Sequence, residues 1–143
     1  MLTPGYKLLP HTTDAYIEAV GATFEAALEN AGLALFDTMV DVHAIAQERY
    51  ELITVNGADE LELLYNWLES LLLKFELERK VYGKFQVSLT SAARPLRLKA
   101  LCYGENFDRK KHGAKVEVKA VTYHRMEVSR QEGFVILRFI LDL

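Results

Sequence analysis

The chain predicts an α+β fold: mainly antiparallel β-sheets packed with two amphipathic α-helices, in a single compact domain. Two segments of helical period sit in the first half, whereas alternating apolar and polar residues dominate the second. Elements bunched in this way favour antiparallel sheet over βαβ units. A length of 143 residues suits one domain, 1-143, burying about two thirds of its unfolded surface.

In chain order, short strands are expected at Gly5 to Leu9 and Ala15 to Val20. The first helix follows from Thr23 to Met39. Phe24, Ala27, Leu28, Ala31, Leu35 and Met39 share one stripe, and the Thr23 hydroxyl can cap its start. Gly32 weakens this helix by about 1 kcal/mol relative to alanine. A third short strand is expected at Ile45 to Val55. The second helix runs from Ala58 to Leu77, with Leu61, Leu64, Leu68, Leu71, Leu72 and Phe75 on its buried face. Asp59, Glu60 and Glu62 suit the positive end of its dipole. Each helix should cover a sheet, and Trp67 and Tyr65 read as packing residues.

The rest alternates with a period of two. "KFQVSLT" (84 to 90) puts Phe85, Val87 and Leu89 on one face, and "LRLKALCYG" (96 to 104) groups Leu96, Leu98, Ala100 and Cys102. "KVEVKAVTYHRMEV" (115 to 128) aligns Val116, Val118, Ala120, Met126 and Val128. Its other face carries Glu117, Lys119, Tyr123, Arg125 and Glu127. The closing "FVILRFILDL" places Val135, Leu137, Phe139, Leu141 and Leu143 together, opposite Arg138 and Asp142.

Half of the residues are hydrophobic and 26% charged, with a formal net charge of −3 and a pI near 5.8. That balance excludes broad non-specific nucleic-acid binding but leaves room for a local basic patch. A single cysteine, Cys102, excludes an internal disulfide and agrees with a reducing, cytoplasmic location. Its place on an apolar strand face makes it an inert core residue. "MLTPGYKLLP" does not read as a signal peptide, and no apolar run reaches the ~20 residues of a membrane span.

Few signatures of chemistry stand out. There is no dinucleotide fingerprint, P-loop or nucleophile elbow, and the four histidines lack zinc-site spacing. Asp14, in "PHTTDAY", stands at the start of a strand; Asp41 follows the first helix; Asp142 is the penultimate residue. On spacing alone these are a turn former, a residue past a helix end and a solvated tail. A last strand apolar to its final residue should be docked, however, which would hold Asp142 beside the Leu143 carbonyl or terminal carboxylate. Carboxylates brought together repel unless a cation bridges them, and oxygen-only ligation favours calcium, magnesium or manganese. Lys119 reads as an exposed lysine in a strand. "DRKKHGAK" (108 to 115) reads as a solvated loop that could also meet phosphates or an acidic surface.

"HTTDAYIEAVGATFEAALENAGLALFDTMVD" resembles the opening of the archease family, with its H-T-A-D and G-x-T-x-x-E patterns. "LLYNWLESLLLKFELE" is similar to that family's second-helix segment, "AKVEVKAVTYHRMEV" to its most diagnostic stretch, and "ILDL" to its closing I-x-D-[ILV]. Order and spacing are kept across essentially the whole chain. Thr13 stands where alanine is usual, Val40 where threonine is common, and Ser70 where a glutamate is often found.

The resemblance implies an accessory protein of the RtcB-type RNA ligase, which joins tRNA halves after intron excision. It would promote the ligase's GTP- and manganese-dependent guanylylation and multiple turnover without catalysis of its own. It implies a divalent cation, calcium foremost in the isolated protein with manganese or magnesium as alternatives, held by Asp14, Asp142 and Leu143. Asp41 and Lys119 match further functional positions, and His11 and Thr12 would orient Asp14 by hydrogen bonds. tRNA would be met indirectly through the ligase, and no membrane is involved. The rival reading is a chaperone-like module for RNA-processing proteins such as a tRNA methyltransferase. A stand-alone metal-dependent hydrolase or nucleotidyl transferase comes third, since no nucleophile or general base is recognisable.

Overall fold

The computed structural model describes residues 2–11, 13–91 and 93–143. Among the described residues, seven strands and three α-helices follow in the order β1 (Gly5–Leu9), β2 (Ala15–Gly21), α1 (Phe24–Met39), β3 (Arg49–Gly57), α2 (Glu60–Glu78), β4 (Lys80–Ser91), β5 (Leu96–Asn106), α3 (Arg109–His112), β6 (Ala120–Gln131) and β7 (Phe134–Asp142). They form two antiparallel sheets, ordered β1-β2-β7-β6 and β3-β5-β4. The expected α+β class with mainly antiparallel sheet is therefore borne out. No helix among the described residues is long and apolar enough to cross a membrane.

Helix α1 begins where the Thr23 hydroxyl accepts the Ala26 N–H at 3.0 Å, the cap its sequence suggests. Its stripe is buried as expected, but Ala34 and Phe36 are buried as well. The reason is that α1 does not cover one sheet. It contacts β2 and β7 of the first sheet and β4 of the second. Gly32 serves this double contact, because a Cβ there would stand 2.8 Å from the Phe85 ring.

Helix α2 starts at Asp59, whose carboxylate accepts the Glu62 N–H at 2.9 Å, while Glu62 reaches back to the Ala58 N–H at 3.1 Å. It too touches both sheets, meeting β3 and β6. The expected face is partly misphased. Leu61 is 39% exposed, and Leu63 and Trp67 take the buried positions. Leu61, in the first turn, points outward. Trp67 is fully buried, and its Nε1–H donates to the Leu28 carbonyl at 2.8 Å, tying the two helices together.

Two strands differ from expectation. The segment from Ile45 is first a 3-10 turn and its cap (Val42–Ala44, Ile45), and β3 starts only at Arg49. The 115–128 segment is not one continuous strand. β6 starts at Ala120, and its pairing with β7 shifts between Thr122 and Glu127, where Arg125 adopts φ 57. An inserted bulge changes which residues face inward. Val116 lies ahead of β6 and is 46% exposed, and Val121, before the shift, is buried. Cys102 is fully buried, and burial first, then the charge of Glu51, pushes its thiol up to about 12. That makes it the inert core residue its strand position suggests.

Candidate metal centre

The site begins with the docking of the last strand. β7 is apolar along its length, so it lies inside the first sheet, paired with β2 on one side and β6 on the other. Ala15 faces Leu141, and Ala120 faces Asp142. Continued by one residue, the β2–β7 register sets Asp14 opposite Asp142, so both side chains leave the sheet on the same face. The Leu143 N–H donates to Asp14 Oδ1 at 3.3 Å, and the Lys119 N–H donates to the Asp142 carbonyl at 2.7 Å. Asp14 is half-buried and Asp142 exposed.

Two like charges opposed across strands are destabilising by themselves. Each carboxylate keeps free lone pairs, and Leu143, whose N–H lies on Asp14, would add a main-chain oxygen. This donor set fits a hard divalent cation. Among the described residues, no three His, Cys, Asp or Glu side chains gather to hold an ion. A cation here would accordingly rest on two carboxylates and main-chain oxygen.

His11 is exposed and sets its ring edge-on to Tyr16, centroids 6.0 Å apart. Thr12 lies outside the described residues. Asp41 is exposed on the 3-10 turn after α1, where its Oδ1 accepts the His43 N–H at 3.1 Å. Its own N–H donates to the His112 carbonyl at 2.9 Å. Lys119 is exposed and stands one residue before β6, rather than within a strand.

Asp14, His11 and Leu143 line a cleft of about 580 Å³ together with Tyr6, Asp37 and Lys115. The sequence reading missed this second group. Asp37 accepts from the Tyr6 hydroxyl at 3.3 Å, the Val42 N–H at 3.4 Å and the Lys115 ammonium at 3.0 Å. Lys115 also reaches the Asp37 carbonyl at 2.9 Å. Burial works against the charged carboxyl, but Lys115 and the Val42 N–H outweigh it and hold Asp37 below its usual range. Burial and the Asp37 charge push the Tyr6 phenol up to about 12. An available signal was the acid in the last turn of α1, which the helix dipole disfavours unless a cation answers it. The answering cation comes from the run expected to be a solvated loop. In that run Lys115 binds Asp37, Lys111 binds Glu105 at 2.8 Å, and His112 is buried.

Residues 6–143 match the model of the Archease protein family (MTH1598/TM1083). The chain is 39% identical over 138 residues to a protein archease of Sulfolobus acidocaldarius, covering 96% of this chain and 98% of that one. Its structure is similar to the solution structure of Methanobacterium thermoautotrophicum protein 1598, with TM-score 0.84 and 33% identity over 97% of this chain and 99% of that one. It also shares its fold with a Thermotoga maritima crystal structure described as an archease, possible chaperone, with TM-score 0.63, 15% identity and 96% of each chain covered.

Proposed function

Because the chain belongs to the archease family, we propose that it is the accessory protein of an RtcB-type RNA ligase. In this role it promotes the ligase's GTP- and manganese-dependent guanylylation and multiple turnover in tRNA exon joining, in the cytoplasm and without catalysis of its own. The observation that supports this reading is the convergence of Asp14 with Asp142 and Leu143 at the docked end of β7. Asp14, Asp142 and the Leu143 carbonyl would hold a divalent cation, calcium in the isolated protein and manganese or magnesium as alternatives. Such a cation neutralises triphosphate charge when bound.

The chain's own residues position and balance charge. The Leu143 N–H fixes the Asp14 carboxylate, and Lys119, pinned through its backbone to Asp142, brings a positive charge for phosphate oxygens. Asp41, exposed on its turn, gives the ligase a second acidic contact. His11 and Thr12, which precede Asp14 in the sequence, would orient its carboxylate by hydrogen bonds. Nucleotidyl transfer depends mainly on positioning and charge stabilisation, so a partner accelerates it without supplying a nucleophile. tRNA halves are then met through the ligase.

Multiple-turnover ligation of tRNA halves by the cognate ligase, with substoichiometric protein, tests this. Wild type should stimulate strongly, and Asp14→Ala and Asp142→Ala should not, while their circular dichroism stays that of wild type. Equal stimulation by all three proteins would remove the metal site from the account.

A second reading is a chaperone-like module for RNA-processing proteins such as a tRNA methyltransferase. It draws on the words used for the Thermotoga protein and on Leu8 and Leu77, which are 70% and 77% exposed. Suppression of client aggregation that survives Asp14→Ala would favour it.

A further inference from the structure

The sheet face of β3, β5 and β4 that points away from the helices takes no part in the carboxylate site. Strand alternation sends Tyr50 and Leu52 of β3, Arg97, Lys99 and Tyr103 of β5, and Lys84 of β4 to this face. Tyr50 is 66% exposed and Leu52 56%. Tyr50 stands opposite Tyr103 across the strands, with ring centroids 5.6 Å apart. Lys84 stands opposite Tyr103 from the other side, its ammonium 5.1 Å from the ring centroid.

Away from Glu105 at its end, the charge on this face has one sign. Its outward positions between 50 and 56, 84 and 90, and 97 and 103 hold three cations and no aspartate or glutamate. Among the described residues, Lys84, Arg97 and Lys99 have no ion-pair partner. The next carboxylate along β5, Glu105, is already occupied by Lys111, His112 and the Ala46 N–H. In a chain of net charge −3, this is a local positive surface.

An exposed ring against a half-buried one, with unpaired cations beside them, separates two kinds of partner. The core of a protein–protein interface is depleted of lysine, since burying an ammonium without a partner is costly. A single-stranded polynucleotide meets both features at once, because its unpaired bases stack on aromatic rings while its phosphates meet the cations. We infer that this face binds single-stranded nucleic acid, with Tyr50 and Tyr103 stacking bases and Lys84, Arg97 and Lys99 meeting phosphates. The site is separate from Asp14 and Asp142, so it stands whether or not the carboxylates hold a cation.

Fluorescence anisotropy of a labelled oligouridylate, titrated with the full chain at several salt concentrations, reads this binding. Matched oligodeoxythymidylate, duplex RNA and polyglutamate serve as competitors. The expected affinity is about 10–100 μM at low salt, with a log–log salt slope near −2 from three phosphate contacts at about −0.7 each. Tyr50→Ala should weaken binding about tenfold at an unchanged slope. Lys84→Gln with Lys99→Gln should reduce the slope to about −0.7. Asp14→Ala should bind as wild type does, and thermal melts of every variant check folding. RNA and DNA strands competing alike assign the contacts to bases and phosphates, whereas preference for RNA adds the ribose hydroxyl; either outcome supports the site. Absence of binding by folded wild type would overturn the inference. So would duplex RNA competing equally, polyglutamate competing equally, or a Tyr50→Ala variant that binds normally.

Discussion

Replacing Asp142 with asparagine should change the sign of its effect with the cation. In a chelator, Asp14 and Asp142 stand as opposed carboxylates at the ends of β2 and β7. Directly opposed residues hold their Cβ atoms roughly 5 Å apart, which sets the carboxylates about 6 Å apart. At that distance two charges repel by about 0.7 kcal/mol in a water-like dielectric and about 3 kcal/mol at an effective constant of 20. Asp142 is exposed, so the smaller figure applies. Asparagine keeps the shape and removes the repulsion, so the variant should melt at or slightly above wild type. With calcium at a hundredfold its dissociation constant, wild type gains about 2.7 kcal/mol. For a domain of this size that is a rise of roughly 8–10 °C. The variant lacks one ligand charge and should gain much less, so the ranking inverts. Thermal unfolding followed by circular dichroism, with chelator and with calcium, measures all four values. The reasoning fails if calcium raises both proteins equally, or if the variant is the less stable one in chelator.

Other consequences concern the scaffold. Gly32→Ala should destabilise by about 1–2 kcal/mol despite alanine's better helix propensity, because the new methyl meets the Phe85 ring; urea unfolding gives the sign. Trp67→Phe should cost about 1–3 kcal/mol, from the lost bond to the Leu28 carbonyl and the space left behind, measured in the same way. Glu105 is held down to about 2 from 4.5: burial opposes its charge, but Lys111, the Ala46 N–H and His112 outweigh it. A depressed carboxyl contributes stability above its unfolded value and loses it as pH falls through the folded one. Glu105→Gln should therefore cost roughly 2–3 kcal/mol at neutral pH, and that cost should fade as pH falls to about 2 and below, a flattened acid limb in unfolding measured against pH. Cys102 should resist iodoacetamide in the native protein at pH 8 and react after unfolding, as mass spectrometry would report.

Helix α1 is legible in its own residues because its period, its Thr23 cap and its apolar stripe are properties of a few neighbouring turns. The same holds for β4, β5 and β7, where one strand's alternation states which residues face inward. Local pattern is weaker where geometry breaks its period. β6 starts only at Ala120, which leaves Val116 exposed ahead of it, and Val121 rather than Ala120 is buried; nothing in the alternation of 115–128 marks that start or the later shift in register. The depth of α1 is also non-local: its sequence marks a buried stripe, but only a sheet on each side explains Ala34, Phe36 and Gly32.

The candidate site divides in the same way. Asp14 and Asp142 can be singled out as residues, and the apolar end of the chain announces that Asp142 is held. Their meeting depends on register between strands from opposite ends of the chain, which places the Leu143 N–H on a carboxylate 129 positions earlier. The Asp37–Lys115–Tyr6 group lies beyond local reading for the same reason, since its three members come from three separate segments. Composition and period thus determine the class of fold, the helices and the identity of the acidic residues. Only the packed sheets decide which charges become neighbours, because that proximity is set by long-range pairing rather than by the order of residues along the chain.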